Sequence, residues 1–415
     1  MSRAASVYLD YNATAPIRPE AQDAAVCALR IGANPSSVHA MGRVARAAVE
    51  TARGQVARLV GARDEAVIFT SGGTEANRLA VEGAILRGCH RPIVLASEHD
   101  STMRAATASG LWVEAWPVHS NGLADLDWLR DRLARWDKAD GAPFVAASLA
   151  NSETGVIQDV RSIAALVHDA GGDLHVDAVQ AAGKIPVDFT ALGADTLTLS
   201  GHKLGAPQGV GALIAGPRAK VGPRVPLPGG QERGLRTGTE NVSGIAGMGA
   251  AAVAALRDLA CFETGAWRPP QHDKSFSSTP PVCHAEEPAT AGVSKDAIRG
   301  WRDTAAEVLK NEDAIIAGEG APRLPGVLCA VTEGFPSELQ VMMLDLEGVM
   351  VSAGSACSSG KVANSTVLMA MGLMSSAGYA VRASGGWATT GADWVRFTEV
   401  WVEAHRRHAR RRAVT

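Results

Sequence analysis

Thr196-Leu197-Thr198-Leu199-Ser200-Gly201-His202-Lys203 is a short apolar run that stops in a small, polar turn carrying a lysine. Apolar runs of four to eight residues bounded by such turns read as buried strands. The pattern recurs upstream. The run 67–70 ends at Ser71-Gly72-Gly73-Thr74, 92–96 at Glu98-His99, 144–149 at Asn151-Ser152, and 174–176 at Asp177 to Gln180. Helical stretches follow the runs, and this alternation predicts an α/β fold with a mostly parallel sheet flanked by helices on both faces. Ligands in such sheets sit beyond the carboxyl ends of the strands. Five ends carrying reactive or anion-binding side chains therefore predict one shared pocket.

Outward from these strands, 41–62 places Val44, Ala48, Val56 and Leu59 at helical spacing. After about residue 259 the character of the chain changes. The stretch 267–294 holds Pro269-Pro270, Pro280-Pro281 and Pro288 among Ser, Thr, His and Glu without any period, and it reads as a surface insertion or disordered loop. Pattern resumes with a helix over 298–309, a strand over 327–331, a helix over 339–346 and a closing helix over 394–411. The expected organisation is a large domain over 16–257, with 1–15 and 258–415 forming a smaller α+β domain.

At 415 residues with 46% hydrophobic and 20% charged side chains, the chain has the make-up of a globular protein with a sizeable core. A net charge of −3 gives no general attraction to nucleic acid or an anionic membrane. The C-terminal cluster Arg406, Arg407, Arg410, Arg411 and Arg412 reads as a solvated helix end or a partner patch. Six cysteines without a CxxC pair or regular spacing argue against a zinc site or disulfide framework and fit a reducing compartment. The N-terminus has no apolar stretch of signal-peptide length, and no uninterrupted apolar run is long enough to span a bilayer. The expectation is a cytoplasmic protein that engages neither nucleic acid nor membrane.

Three of the strand ends carry specific chemistry. In Thr70-Ser71-Gly72-Gly73-Thr74-Glu75, two glycines and a helix start make an anion site suited to phosphate, or a plain turn with Thr74 as N-cap. Asp177 ends a buried strand, where a carboxylate needs a cationic partner such as a protonated pyridine nitrogen, or caps the following turn. Lys203 after the Ser200-Gly201-His202 turn is poorly placed for a solvated role. In a pocket its amine would suit Schiff-base chemistry, with Ser200 and His202 as further donors to a phosphate.

Together these residues make the chain recognisable. It resembles the fold-type-I pyridoxal-phosphate (PLP) enzymes of the class-V aminotransferase group, and within it the cysteine desulfurases of the nitrogen-fixation and iron–sulfur-assembly type. The resemblance rests on 8–16, 34–39, 69–77, 97–99, 153–155, 177–184, 200–203, 229–241 and 351–361, nearly the whole chain except 267–294. It implies a seven-stranded sheet and PLP as cofactor. Lys203 would hold the cofactor, Asp177 would pair with the ring nitrogen, Gln180 would donate to the ring oxygen, and His99 would stack on the ring and move protons. Gly73, Thr74, Ser200 and His202 would hold the phosphate, and Ser152 stands near the cofactor where many members carry asparagine. Thr239 would reach the phosphate of a neighbouring subunit, which implies a homodimer. Arg382 would grip the carboxylate of the substrate, L-cysteine, with Asn12 and Asn34 nearby.

Ser352 to Lys361 is rich in small residues, a setting in which Cys357 reads as a reachable thiol. Cys27, Cys89 and Cys329 have the apolar or helical surroundings of buried cysteines. The resemblance makes Cys357 the acceptor that carries persulfide sulfur to an iron–sulfur scaffold or another sulfur-acceptor protein. No resident metal site is expected, only a transient iron–sulfur contact at Cys357. Gly385 replaces a larger apolar residue of the family pattern. Selenocysteine lyase, class-V aminotransferase and a weakly active PLP-binding partner protein remain the rival readings.

Overall fold

The computed structural model describes residues 6–223, 228–260, 294–354 and 364–412. Cys357 and nearly all of the 267–294 stretch lie outside these residues. The main sheet has seven strands in the order Val67–Thr70, Gly211–Ala215, Thr196–Ser200, Asp173–Asp177, Phe144–Ser148, Pro92–Leu95 and Glu114–Trp116. Only Gly211–Ala215 runs against its neighbours. The five strands read from the sequence therefore point their carboxyl ends at one edge. All residues of Phe144–Ser148, Asp173–Asp177 and Thr196–Ser200 are buried, as expected of parallel strands covered on both faces.

Val242–Ala260 is long and apolar enough, by composition, to cross a membrane. It packs instead against Pro19–Ile31 and Ala40–Leu59, and its Ile245, Met248, Ala251, Ala252 and Ala255 join the large core.

A second sheet is antiparallel, in the order Ser352–Ala353, Ala380–Ser384, Val327–Val331, Ile315–Ile316. Helices Lys295–Lys310, Ser337–Leu346 and Gly391–Arg412 accompany it. The last helix buries Trp394, Phe397, Trp401 and Ala404, one stripe at helical spacing. Trp401 is fully buried and its Nε1 donates to Gln340 Oε1 at 2.9 Å. Trp401→Ala is expected to cost about 3–5 kcal/mol of unfolding free energy, measured by urea denaturation.

The N-terminal segment joins this second unit: Val7–Tyr8 pairs in parallel with Val349–Met350, and Asp10 bridges to Ser384. It then crosses to the main sheet's carboxyl edge, where Ala15 N donates to His202 O at 2.9 Å.

Candidate active site

At the first strand end, Thr70 passes into an extended Gly72 and the helix Gly73–Leu86, whose N-cap has no side-chain hydrogen bond. Gly72, not Thr74, is the cap, so the N-cap alternative for Thr74 does not hold; Thr74 lies exposed in the first turn. Close approach requires glycine at Gly211 and leaves little room at Gly73. A Cβ on Gly211 would come within 2.6 Å of the Gly72 backbone, and one on Gly73 within 3.0 Å of Val179 Cγ2 and 3.5 Å of Ser200 Cβ. The start of this helix, the turn after Asp177 and the turn before Lys203 thus meet. Helix-start N–H groups beside a serine form a cradle suited to an anion.

Asp177 caps the turn that follows it. Oδ1 accepts the Val179 N–H at 2.9 Å and so caps the turn, while Oδ2 accepts Asn77 Nδ2 at 2.9 Å. Asn77 Oδ1 lies 3.1 Å from His175 Nε2, and His175 Nδ1 lies 2.9 Å from Thr196 Oγ1. An amide oxygen only accepts, so Nε2 carries the proton and Nδ1 takes the threonine hydroxyl. Burial holds His175 down at about 4, which agrees with this neutral tautomer. A second branch runs from Asn77 Nδ2 to Ser101 Oγ (2.9 Å) and from there to His99 Nδ1 (2.7 Å). His99 caps its helix by accepting the Ser101 N–H at Nδ1, which places the proton of the neutral ring on Nε2.

Neutral burial of His175 has a pH consequence. The unfolded histidine binds a proton near pH 6.5 and the folded one only near 4. Its contribution is present above pH 6.5 and is lost as pH falls toward 4, in total roughly 3 kcal/mol. His202 shifts the same way, to about 4, through burial and then Lys203 and Lys184. Urea unfolding from pH 7 to 4 is expected to show a shallower acid loss in His175→Gln than in the parent protein; parallel curves would contradict the assignment.

Lys203 donates to the carbonyls of Asn12 and Ala13, the latter at 2.6 Å. The N-terminal crossing segment therefore lies over this amine. Arg382, 1% exposed, reaches Asp10 Oδ1 at 2.7 Å and Ser152 O at 3.3 Å, and its Nε is buried without a partner among the described residues. Asn12 Nδ2 donates to the same Ser152 carbonyl at 2.8 Å. Ser152 thus contributes its carbonyl to these contacts. Gln180 Nε2 donates to Asn12 O at 3.0 Å. A cavity of about 60 Å³ beside Lys203 and Lys184 is also lined by Tyr11, Gly326, Gly386 and Trp387. The wider groove, about 730 Å³, lies apart on the C-terminal helix beside Arg406, Arg407, Arg410 and Arg411 and includes none of the strand-end residues.

Two acids at this edge were not assigned a role from the sequence. Burial pushes Glu98 up to about 8, with Asp177 adding to it. Its Oε1 accepts the His99 N–H and its Oε2 is buried without a partner among the described residues. Burial likewise raises Glu153 to about 7, against a hydrogen bond from Ser365 and the nearby Arg382 and His99. Their motifs, Ser97-Glu98-His99 and Glu153-Thr154-Gly155, were visible; their burial was not.

Asn34 lies on the surface, where Oδ1 accepts the Ser36 N–H at 2.8 Å; it shares no described hydrogen bond with the other site residues. Thr239 is exposed. Cys89 and Cys329 are buried, and burial pushes their thiols up to about 11 and 12. Cys27 is half-buried on the helix Pro19–Ile31.

Comparison with known proteins agrees with this architecture. The model of the class-V aminotransferase family matches residues 7–259. A cysteine desulfurase of Cereibacter sphaeroides is 35% identical over 408 residues, covering 95% of this chain and 94% of its own. Cysteine desulfurase IscS 1 of Archaeoglobus fulgidus is 33% identical over 375 residues, covering 88% of each. Among solved structures, a NifS-like protein from Rickettsia africae superposes with a TM-score of 0.81 at 28% identity, over 97% of this chain and 99% of that one. The family match spans the whole main sheet and these relatives extend it through the second unit, so the chain is a member of the class-V aminotransferase family.

Proposed function

We propose that this protein is a PLP-dependent cysteine desulfurase, which takes sulfur from L-cysteine, releases L-alanine and carries the sulfur as a persulfide on Cys357. The observation that carries the reading is the meeting of an amine, a held carboxylate and a buried guanidinium at one sheet edge, in a chain whose relatives along nearly its full length are cysteine desulfurases. In this reading 16–257 is the cofactor-holding unit, and 1–15 with 258–415 is the smaller one.

The donor set fits the cofactor. The cradle of Gly73, Thr74, Ser200 and His202 suits a phosphate, and the Gly73 position leaves no room for a Cβ without displacing Val179. Asp177 has two described donors for its oxygens, so acceptor capacity is left for a ring N–H. When bound, PLP supplies an electrophilic carbon for amines and a protonated ring that takes up electrons from the substrate's α-carbon.

The protein's own groups do the rest. Lys203 would hold the cofactor, and its amine would move the proton at the cysteine α-carbon. His99, through Nε2, is a second proton carrier, oriented by Ser101. Gln180 donates to the ring oxygen, and Asn77 and His175 hold Asp177 in place. Arg382 exchanges Asp10 for the substrate carboxylate, a bidentate contact that guanidinium geometry favours. Ser152 and Asn12 line that contact; Asn34, on the surface turn, is the weakest member of the set. The Cys357 thiolate attacks the substrate sulfur, forming an S–S bond as the C–S bond breaks, and the carbon side takes a proton to leave as alanine. Thr239 is exposed as a residue reaching a second subunit would be, and a homodimer follows from that role. The persulfide passes to an iron–sulfur scaffold or another sulfur-acceptor protein.

Purified protein loaded with PLP and given L-cysteine and a thiol reductant is expected to release alanine and sulfide in equal amounts. Conversion of a keto acid to an amino acid without sulfide would instead establish an aminotransferase.

A further inference from the structure

Lys184 closes the turn that begins at Asp177. Its N–H donates to Ala181 O at 2.9 Å, and the preceding Gly183 adopts φ +76. A Cβ on Gly183 would come within 2.3 Å of Leu204 Cδ1, so glycine brings this turn against the one that carries Lys203. The Lys184 amine then points back into the site. It donates to Asn12 Oδ1 at 2.7 Å and to Gln180 Oε1 at 2.8 Å. Neither acceptor is a carboxylate. Burial lowers the Lys184 pKa well below the usual lysine value, and Lys203 and Arg382 lower it further.

An amine donor of this kind decides how its neighbours face. A side-chain amide can turn either its C=O or its NH₂ toward a partner, but an ammonium has no lone pair and can donate only to the C=O. A neutral amine keeps two N–H groups, enough for both contacts, but its lone pair no longer excludes an NH₂, so the orienting effect belongs to the ammonium form. With both oxygens taken by Lys184, both NH₂ groups face the other way. Asn12 Nδ2 donates to Ser152 O, the carbonyl that also meets Arg382, and Gln180 Nε2 donates to Asn12 O, the carbonyl that also meets Lys203. One amine thereby orients groups on the amine, ring-oxygen and guanidinium sides of the site.

We propose that Lys184 is a positioning residue of the cofactor site: through the oxygens of Asn12 and Gln180 it turns the Asn12 NH₂ toward the carbonyl that meets Arg382 and the Gln180 NH₂ toward the carbonyl that meets Lys203. The inference rests on the PLP reading above.

The test uses three full-length proteins, the parent, Lys184→Met and Lys184→Arg, each measured as apo-protein and with PLP. Methionine keeps most of the volume and removes every donor; arginine is again donor-only. The expected result for Lys184→Met is an apo-protein melting temperature at or above that of the parent. Its PLP dissociation constant rises about tenfold, and the pH midpoint of its visible absorbance moves by at least about half a unit. Lys184→Arg returns the dissociation constant to within about threefold of the parent. A Lys184→Met protein with parental PLP affinity and parental band midpoint overturns the proposal while leaving the PLP reading intact. So does a Lys184→Met protein whose apo form melts lower and whose arginine counterpart shows no recovery, since that pattern belongs to a structural lysine. A parent protein that binds no PLP overturns both.

Discussion

Lys203→Ala is expected to abolish the visible absorbance of PLP-loaded protein and to lower alanine formation from L-cysteine by at least about 10⁴-fold. The size follows from the two tasks given to one amine. In the proposed function it holds the cofactor covalently and moves the α-proton, and general acid–base transfer alone is worth about 10²–10⁴. Stability should change little. The amine contacts two backbone carbonyls, those of Asn12 and Ala13, and losing such contacts costs on the order of 1 kcal/mol. A colourless but thermally intact variant therefore separates a chemical role from a structural one. Full activity in Lys203→Ala would remove the basis of the reading.

Cys357→Ser is expected to keep the visible absorbance and the PLP affinity and to lose sulfide and alanine release by about 10³-fold or more. A hydroxyl is too weak a nucleophile to take sulfur, whereas the cofactor contacts assigned above involve no cysteine. Two of the other described thiols offer no substitute. Cys89 and Cys329 are buried and pushed far from ionisation, and a thiolate is what attacks. An aminotransferase would be indifferent to this change, so the substitution separates the two activities within one family.

The five chemistry-bearing strands were legible because parallel strands buried on both faces read as unbroken apolar runs, and each stops where its side chains must meet solvent or ligand. Glu114–Trp116 escaped because three residues at a sheet edge carry too little pattern. Gly211–Ala215 escaped because it follows closely on the Lys203 turn and carries no polar end residue. Val242–Ala260, in which alanine and glycine recur on every face, shows little periodicity, and close packing rather than amphipathicity places it.

In the site, the placement of Lys203, Asp177 and the Gly72-Gly73 turn at strand ends could be read from type and order. The supports could not. Asn77, His175 and Thr196 form a chain only once a helix and two adjacent strands come together, and the Asp10–Arg382 pair joins opposite ends of the polymer. Lys184 was inside a recognised motif, yet nothing in its neighbours along the sequence said that its amine would meet Asn12.

Two half-buried lysines stand close enough to share Asn12, so mapping the residue that holds the cofactor tests the account most directly. PLP-loaded protein would be reduced with borohydride, digested, and the pyridoxyl-bearing lysine located by mass spectrometry. The label is expected on Lys203 alone. A label on Lys184, or on a lysine away from the carboxyl edge of the main sheet, would contradict the account.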